Sequence, residues 1–298
     1  MHEEGKRGGA QPLSLDMLGS STGSRAVAWS ERDTMLYALG VGAGRDGSEA
    51  ELGFVTENSG GCGLQAIPSF VTALVVAAER PPAMAALDAG RFLHAGQAFE
   101  LPEPFPASGR GLLTNAITGL RDTGADAIVT NSATLRHDQD GRVLARLRSS
   151  IFVRGGGGFD KSPSEGVPWS LPARDPDREI VVETRPDQAL LYRLSGDRHR
   201  LHSDPAFARK LGFERPILHG LCTYGIACRA LVRAAADGMP SRLRGMDARF
   251  RRPVMPGDTL ATQVWLDGTT AALFRVVGAQ GQVVLDRGTA LLAAELRP

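Results

Sequence analysis

The sequence predicts an α+β protein in which one architecture occurs twice, an antiparallel sheet wrapped round a central helix. Three observations predict it. Two sets of alternating apolar and polar stretches, each punctuated by turn residues, fall in the first and second halves of the 298 residues. A break separates them, with four successive glycines at 155–158 followed by Pro163, Pro168, Pro172 and Pro176. The second half holds one long run, LCTYGIACRALVRAAA at 221–236, apolar on most faces and rich in small residues, as an encircled helix must be.

Taken in order, residues 1–25 read as a flexible Gly/Ser tail, and a first unit spans 26–154. It opens with a helix over 32–39, followed by the stretch LGFVTENSGGCGLQAIPSF ahead of a helical segment. Its strands follow as LLTNAITGL, DAIVTNSATL and RVLARLRSSIFV, separated by turn residues at 122–124 and 138–141. Residues 155–178 have linker composition, and the second unit spans 179–298. There Asp204 caps a short helix, Pro205 sits where its missing N–H costs nothing, and Gly212 ends the helix one residue past Leu211. Pro216 forces an extended approach to His219 and Gly220, where the long helix begins, with Gly225 and Ala227 allowing close approach. The strands RLRGMDARF, TLATQVWL, TAALFRVV and QVVLDRGTALLAA complete it, with turns at 256–258 and 280–281. A sheet folded round one helix is a hotdog, and two in one chain make a double hotdog.

Bulk composition excludes several function classes. A formal net charge of +1, from 34 Lys+Arg against 33 Asp+Glu, gives no reason to expect nucleic-acid binding. The three cysteines, Cys62, Cys222 and Cys228, are odd in number and unpatterned, which argues for core thiols in a reducing compartment. No run reaches the length of a membrane span, and the opening residues lack a secretory apolar region, so a cytoplasmic location is expected.

The chemistry concentrates in YRLSGDRHRLHSDPAFARKLGFERPILHG, from Tyr192 to Gly220. Gly196 frees the backbone beside Asp197, and five positions on stands His202, so a loop can aim a carboxylate and an imidazole at one water. The first turn of the helix after it presents unpaired N–H groups from the Gly220 end, suited to a developing oxyanion. An isolated Asp/His pair more often caps a turn and fills a polar niche, and Gly220 serves equally as a packing glycine.

The surrounding residues carry a resemblance. Tyr192, Ser195, Gly196, Asp197, Leu201, His202 and Ala208 fall into the motif of the MaoC-like hydratase 2 family, which includes the (R)-specific enoyl-CoA hydratase part of peroxisomal multifunctional enzymes. DTMLYALGVGAG, FLHAGQ and FVRGGGGF resemble first-half segments of the same hydratases, so the resemblance covers nearly all the chain beyond the tail. It implies reversible syn hydration of a trans-2-enoyl-CoA to a (3R)-3-hydroxyacyl-CoA in fatty-acid or steroid side-chain β-oxidation. Asp197 and His202 would be the catalytic pair and Gly220 N–H the oxyanion donor. No metal and no cofactor beyond the coenzyme A of the substrate is implied, and a homodimer is expected. By the same resemblance His94, Ala95 and Arg249 are candidates for CoA contacts, though His94 reads equally as a structural histidine and Arg249 as a solvated strand residue.

Two positions depart from the family motif. His199 stands where the family has Asn, and Arg200 where it has Pro. The first makes His199 a site-shaping residue; the second should loosen the loop. The first half has no Asp/His pair in the corresponding stretch, which predicts one active site per chain; the resemblance implies that the first half gave up its catalytic copy to make room for a long or bulky acyl group, with other surfaces contacting CoA. The family's lysine near Thr123 is missing.

Other motifs fail on context. Gly42-Ala43-Gly44-Arg45-Asp46-Gly47 has dinucleotide-fingerprint spacing but follows a helix. His199, His202 and His219 have no Cys or carboxylate at a familiar ligand spacing. A thioesterase and a non-catalytic acyl-CoA-binding subunit remain alternatives.

Overall fold

The computed structural model describes residues 12–47, 49–58, 63–160 and 169–294. In chain order the elements are β1 (Ser21–Trp29), α1 (Glu31–Gly40), α2 (Leu52–Val55), α3 (Phe70–Ala77), α4 (Pro82–Ala85), β2 (Phe92–Glu100), β3 (Gly109–Asp122), β4 (Ala127–His137) and β5 (Val143–Val153). Then come β6 (Arg178–Glu183), α5 (Gln188–Tyr192), α6 (Pro205–Lys210), α7 (Gly220–Ala235), β7 (Leu243–Phe250), β8 (Thr259–Asp267), β9 (Ala271–Gly278) and β10 (Val283–Leu292).

The strands form one antiparallel ten-stranded sheet in the order β1-β3-β4-β5-β2-β7-β10-β9-β8-β6. The first five strands of the chain make one half and the last five the other. The halves join where β2 pairs with β7, Gly96 opposite Arg249 through Glu100 opposite Gly245. α7 is buried on nearly every face and packs against β6, β7, β8 and β10, as the expected encircled helix. Gly225 is required there, because a Cβ would lie 2.5 Å from Val41 Cγ1 and 2.7 Å from the Tyr37 hydroxyl. The corresponding helix of the first half, α3, has 8 residues against 16 in α7.

Two apolar cores result. One runs through both halves around α7, and a smaller one gathers Leu13, Met17, Met84, Ile117, Ala127, Val129 and Val153. No helix among the described residues is long and apolar enough to cross a membrane.

Two expectations need correction. Residues 12–25 are not a loose tail: Leu13 and Met17 are buried, Leu13 N–H donates to Gly156 O at 2.9 Å, and β1 is already under way at Ser21. The glycines at 155–158 are not spacers either. Asp122 Oδ2 accepts from the N–H groups of Gly158, Phe159 and Asp160, and Asp126 Oδ1 from Gly155 N–H. A Cβ on Gly157 would fall 2.2 Å from Gly124 O. Gly157 is glycine because two backbones touch, Gly155 and Gly158 because they take φ of +63° and +90°, and the N–H groups of these last two are held by carboxylates. At the far end of 155–178, Arg178 opens β6. Residues 1–11, 48, 59–62 (Cys62 among them), 161–168 and 295–298 lie outside the described residues.

Candidate active site

The catalytic string follows α5 and a 3-10 turn at Arg193–Ser195. Gly196 then takes φ +130°, and a Cβ there would meet Ala77 Cβ of α3 at 2.8 Å, so conformation and contact both require glycine. Asp197 follows at once. Its Oδ1 accepts from His199 N–H at 3.1 Å, closing a tight loop. A 3-10 turn, Arg200–His202, carries the imidazole, and Asp204 caps α6 by accepting from the N–H groups of Ala206 and Phe207, as expected.

His202 Nδ1 lies 2.9 Å from Ile217 O. A carbonyl only accepts, so Nδ1 carries the proton and Nε2 presents a lone pair. Burial lowers the His202 pKa from its ordinary value against the opposing pull of the Ile217 bond and the Asp197 charge, which keeps the ring neutral near neutrality. His202 therefore accepts a proton from a bound water without first losing one.

A third group completes the cluster. His219 is 1% exposed and stacks on His202, ring centroids 3.7 Å apart and planes 26° apart. Its Nε2 donates to the Asp197 carbonyl oxygen at 3.0 Å, and its other face meets Tyr192 at 4.9 Å. Burial, then repulsion from His202, pushes its pKa down to about 3. His219 thus holds the backbone of Asp197 and the ring of His202 at once. Sequence reading placed it as the residue before Gly220 and as one of three histidines with no carboxylate at ligand spacing; the extended approach after Pro216, ending on a histidine at a helix start, was the available signal for its place beside Asp197.

Gly220 opens α7, and its N–H makes no hydrogen bond among the described residues. A Cβ on Gly220 would lie 3.1 and 3.2 Å from Phe250 ring atoms, so packing alone favours glycine here. Phe250 in turn contacts His94 of the first half at 4.7 Å between centroids. His94 sits at a bulge in β2, between His94 and Gly96, with Nε2 buried and unpartnered among the described residues. Burial lowers its pKa to about 4, and it stands close enough to Asp197 to feel that charge. It belongs to the wall of the catalytic cluster. Ala95 is half-buried in the same bulge.

Arg249 is exposed and adjacent in sequence to Phe250, so it points to the opposite face of the sheet. Partial burial and then the like charges of Arg287, Arg121 and Arg251 lower its pKa, with Asp247 opposing, so the region is a cationic patch. His199 is exposed; its Nδ1 accepts from Leu201 N–H at 3.4 Å, a cap that an Asn oxygen also provides, and its ring meets His202 only edge-on at 6.1 Å. The expected loosening at Arg200 is countered, since its Nε donates to Asp204 Oδ2 at 3.1 Å and its guanidinium lies 5.0 Å over Phe207.

One ligand atom from each of Asp197, His202 and His219 lies within 4.8 Å of the others, a set that can hold a metal by residue type. The geometry fits one poorly. Rings stacked face to face direct their lone pairs side by side, whereas metal ligands must converge.

Residues 28–155 match the MFE-2 hydratase 2 N-terminal domain and residues 169–286 the MaoC like domain. The chain is 40% identical to the 3-hydroxyacyl-thioester dehydratase Y of Mycobacterium tuberculosis, over 91% of this chain and 95% of that one. It is 37% identical to the peroxisomal enoyl-CoA hydratase 2 of Arabidopsis thaliana, over 80% and 82%. Among solved structures it superposes on a MaoC-like dehydratase from Phytophthora capsici with TM-score 0.83 and 28% identity, covering 95% of this chain and 99% of that one. A Mycobacterium tuberculosis protein described as a double hotdog fold matches at TM-score 0.58 and 15% identity, covering 93% and 96%, which concerns the fold alone.

Proposed function

We propose that this chain, which belongs to the MaoC-like hydratase 2 family, catalyses reversible syn hydration of a trans-2-enoyl-CoA to the (3R)-3-hydroxyacyl-CoA. The observation that carries the reading is the meeting of the Asp197 loop, a neutral His202 with Nε2 unprotonated, and the free Gly220 N–H at the start of α7. Asp197 and His202 hold the water. As the water oxygen bonds to C3, one of the pair takes a proton from it; that proton, passed between the two within 4.8 Å, is delivered to C2, which leaves the pair as it began. Negative charge develops on the thioester oxygen, which Gly220 N–H and the α7 dipole receive. His219 and Tyr192 position the pair. The chemistry needs no metal and no redox cofactor.

The first half supplies no second acid/base pair; it serves the acyl group and CoA through His94 and Ala95, with the Arg249 patch available to the phosphates. The setting is fatty-acid or steroid side-chain β-oxidation, in the cytoplasm, in a homodimer without nucleic-acid or membrane partners. Relatives named as an enoyl-CoA hydratase 2 and a 3-hydroxyacyl-thioester dehydratase support the reaction in both directions. The test is chiral analysis of the product from trans-2-enoyl-CoA without added metal or nucleotide. The 3R alcohol is expected; only 3S product, or free CoA and acid, would refute the assignment.

A further inference from the structure

Across the buried face of the first half of the sheet runs a stripe of uncharged polar side chains that the hydration does not use. Asn131 of β4 pairs directly with Ser149 of β5, and Ser149 with Gln97 of β2, so the three share a face. Asn115 of β3 joins them, two positions from Ile117, the partner of Asn131. Gln97 and Asn115 are 5% exposed and Asn131 8%. Apolar residues flank the stripe on both sides: Leu113, Ala133 and Leu147 belong to the larger core, Ile117, Val129 and Val153 to the smaller.

Two of these side chains are unsatisfied. The Oδ1 atoms of Asn115 and Asn131 are buried and have no hydrogen-bond partner among the described residues. A buried amide without partners destabilises a fold, and an apolar residue would serve packing better at either position. The stripe also has a direction. It ends on β2 at Gln97, three residues from His94, whose ring meets Phe250 and whose Nε2 is likewise unpartnered. Phe250 closes on Gly220. With about 4.8 Å between neighbouring strands, Ser149, Asn131 and Asn115 stand about 5, 10 and 14 Å from β2. That is the reach of an acyl chain leading away from the thioester.

We infer that the stripe Gln97–Ser149–Asn131–Asn115 binds the distal part of the acyl group, and that the preferred substrates are 2-enoyl-CoA thioesters bearing a hydroxyl group remote from the double bond. The inference rests on the hydratase reading. The ligand group is neutral because the stripe carries no charge to meet a carboxylate or phosphate. A hydroxyl both donates and accepts, so it satisfies an Asn amide in either orientation. A site built around hydrogen bonds rejects the analogue that lacks the partner far more strongly than an apolar pocket rejects an added methylene.

The test compares trans-2-decenoyl-CoA with its 8-, 9- and 10-hydroxy derivatives in the wild-type protein and in N131L and N115L, with N131S as a smaller replacement. For at least one hydroxyl position the wild type is expected to show kcat/KM about tenfold or more above the unsubstituted chain. In N131L or N115L that ratio should fall below one. Each ratio comes from one preparation, so partial misfolding cancels. Equal kcat/KM at every hydroxyl position in the wild type, or a preference that survives in all three variants, would overturn the inference. Hydration of crotonyl-CoA by the wild type is read separately: its absence would remove the hydratase reading, whereas its presence without hydroxyl preference removes only the role of the stripe.

Discussion

Gly220→Ala separates the oxyanion role of this residue from its packing role. The added methyl would sit 3.1 and 3.2 Å from Phe250 Cε1 and Cδ1, roughly 0.5 Å inside an ordinary carbon–carbon contact. The ring cannot simply withdraw, because His94 lies 4.7 Å from it and Tyr224 6.4 Å. The first turn of α7 therefore shifts by a few tenths of an ångström, taking the Gly220 N–H with it. Losing an oxyanion donor outright costs about 3 kcal/mol, so a donor displaced but still present should cost about half that. The expected result is a roughly tenfold fall in kcat with little change in KM. Phe250→Leu removes the offending ring atoms, so the double variant should regain most of the loss measured in a Phe250→Leu background. The assay is steady-state hydration of crotonyl-CoA by all four proteins. If Gly220→Ala keeps the wild-type kcat, the N–H is not an oxyanion donor; if it costs the same factor in both backgrounds, the Phe250 contact is not what moves it.

Asp197→Asn and His202→Ala should each remove at least about a hundredfold of kcat with circular dichroism unchanged, and the double variant should lose little more, since groups that share one water act as a unit; additive losses would break the pairing. His94 predicts a pH dependence of stability. Its folded pKa of about 4 lies below the ordinary 6.5, so the unfolded chain binds the extra proton, and the stabilisation, present above about pH 6.5, is lost as pH falls toward 4. Between pH 7.5 and 5 the loss from this group is about 2 kcal/mol by the pKa difference. His94→Gln, which cannot titrate, should shrink the difference between urea-unfolding free energies at the two pH values by about that amount, and an unchanged difference would contradict a buried neutral imidazole.

The long strands of both meanders and the helix α7 were legible because alternation and apolarity are local properties of their sequences. β1 and β6 were not, since both are edge strands with largely exposed residues and a weak alternation. β2 was hidden by its bulge at His94, which breaks the period of two that a strand should show. The same division holds at the site. Asp197 and His202 could be paired because their loop is one short segment, and Gly220 because a helix start is visible in sequence. His94 joins the site only through the β2–β7 seam, and the stacking of His219 on His202 depends on a chain reversal through α6. The glycines at 155–158 show the opposite failure. Composition suggested freedom, whereas Gly156 and Gly157 are buried against neighbouring backbone.

The inequality of the halves also explains why the catalytic loop of the second is built against the first. Gly196, beside the acid, packs on Ala77 at the end of the short α3, and Gly40 of α1 meets the Tyr192 backbone at 3.2 Å from its would-be Cβ. Gln188 in α5 donates to the Gly40 carbonyl, and the buried Arg229 of α7 donates to Gly42 O and pairs with Glu51 at 3.3 Å. These contacts tie α1 and its following loop to α5 and α7, so the Asp197 loop that follows α5 is held against the first half. A first-half helix as long as α7 would continue past Ala77, where Gly196 and Asp197 now stand. The shortened α3 is thus the condition under which the Asp197 loop of one half packs against the other.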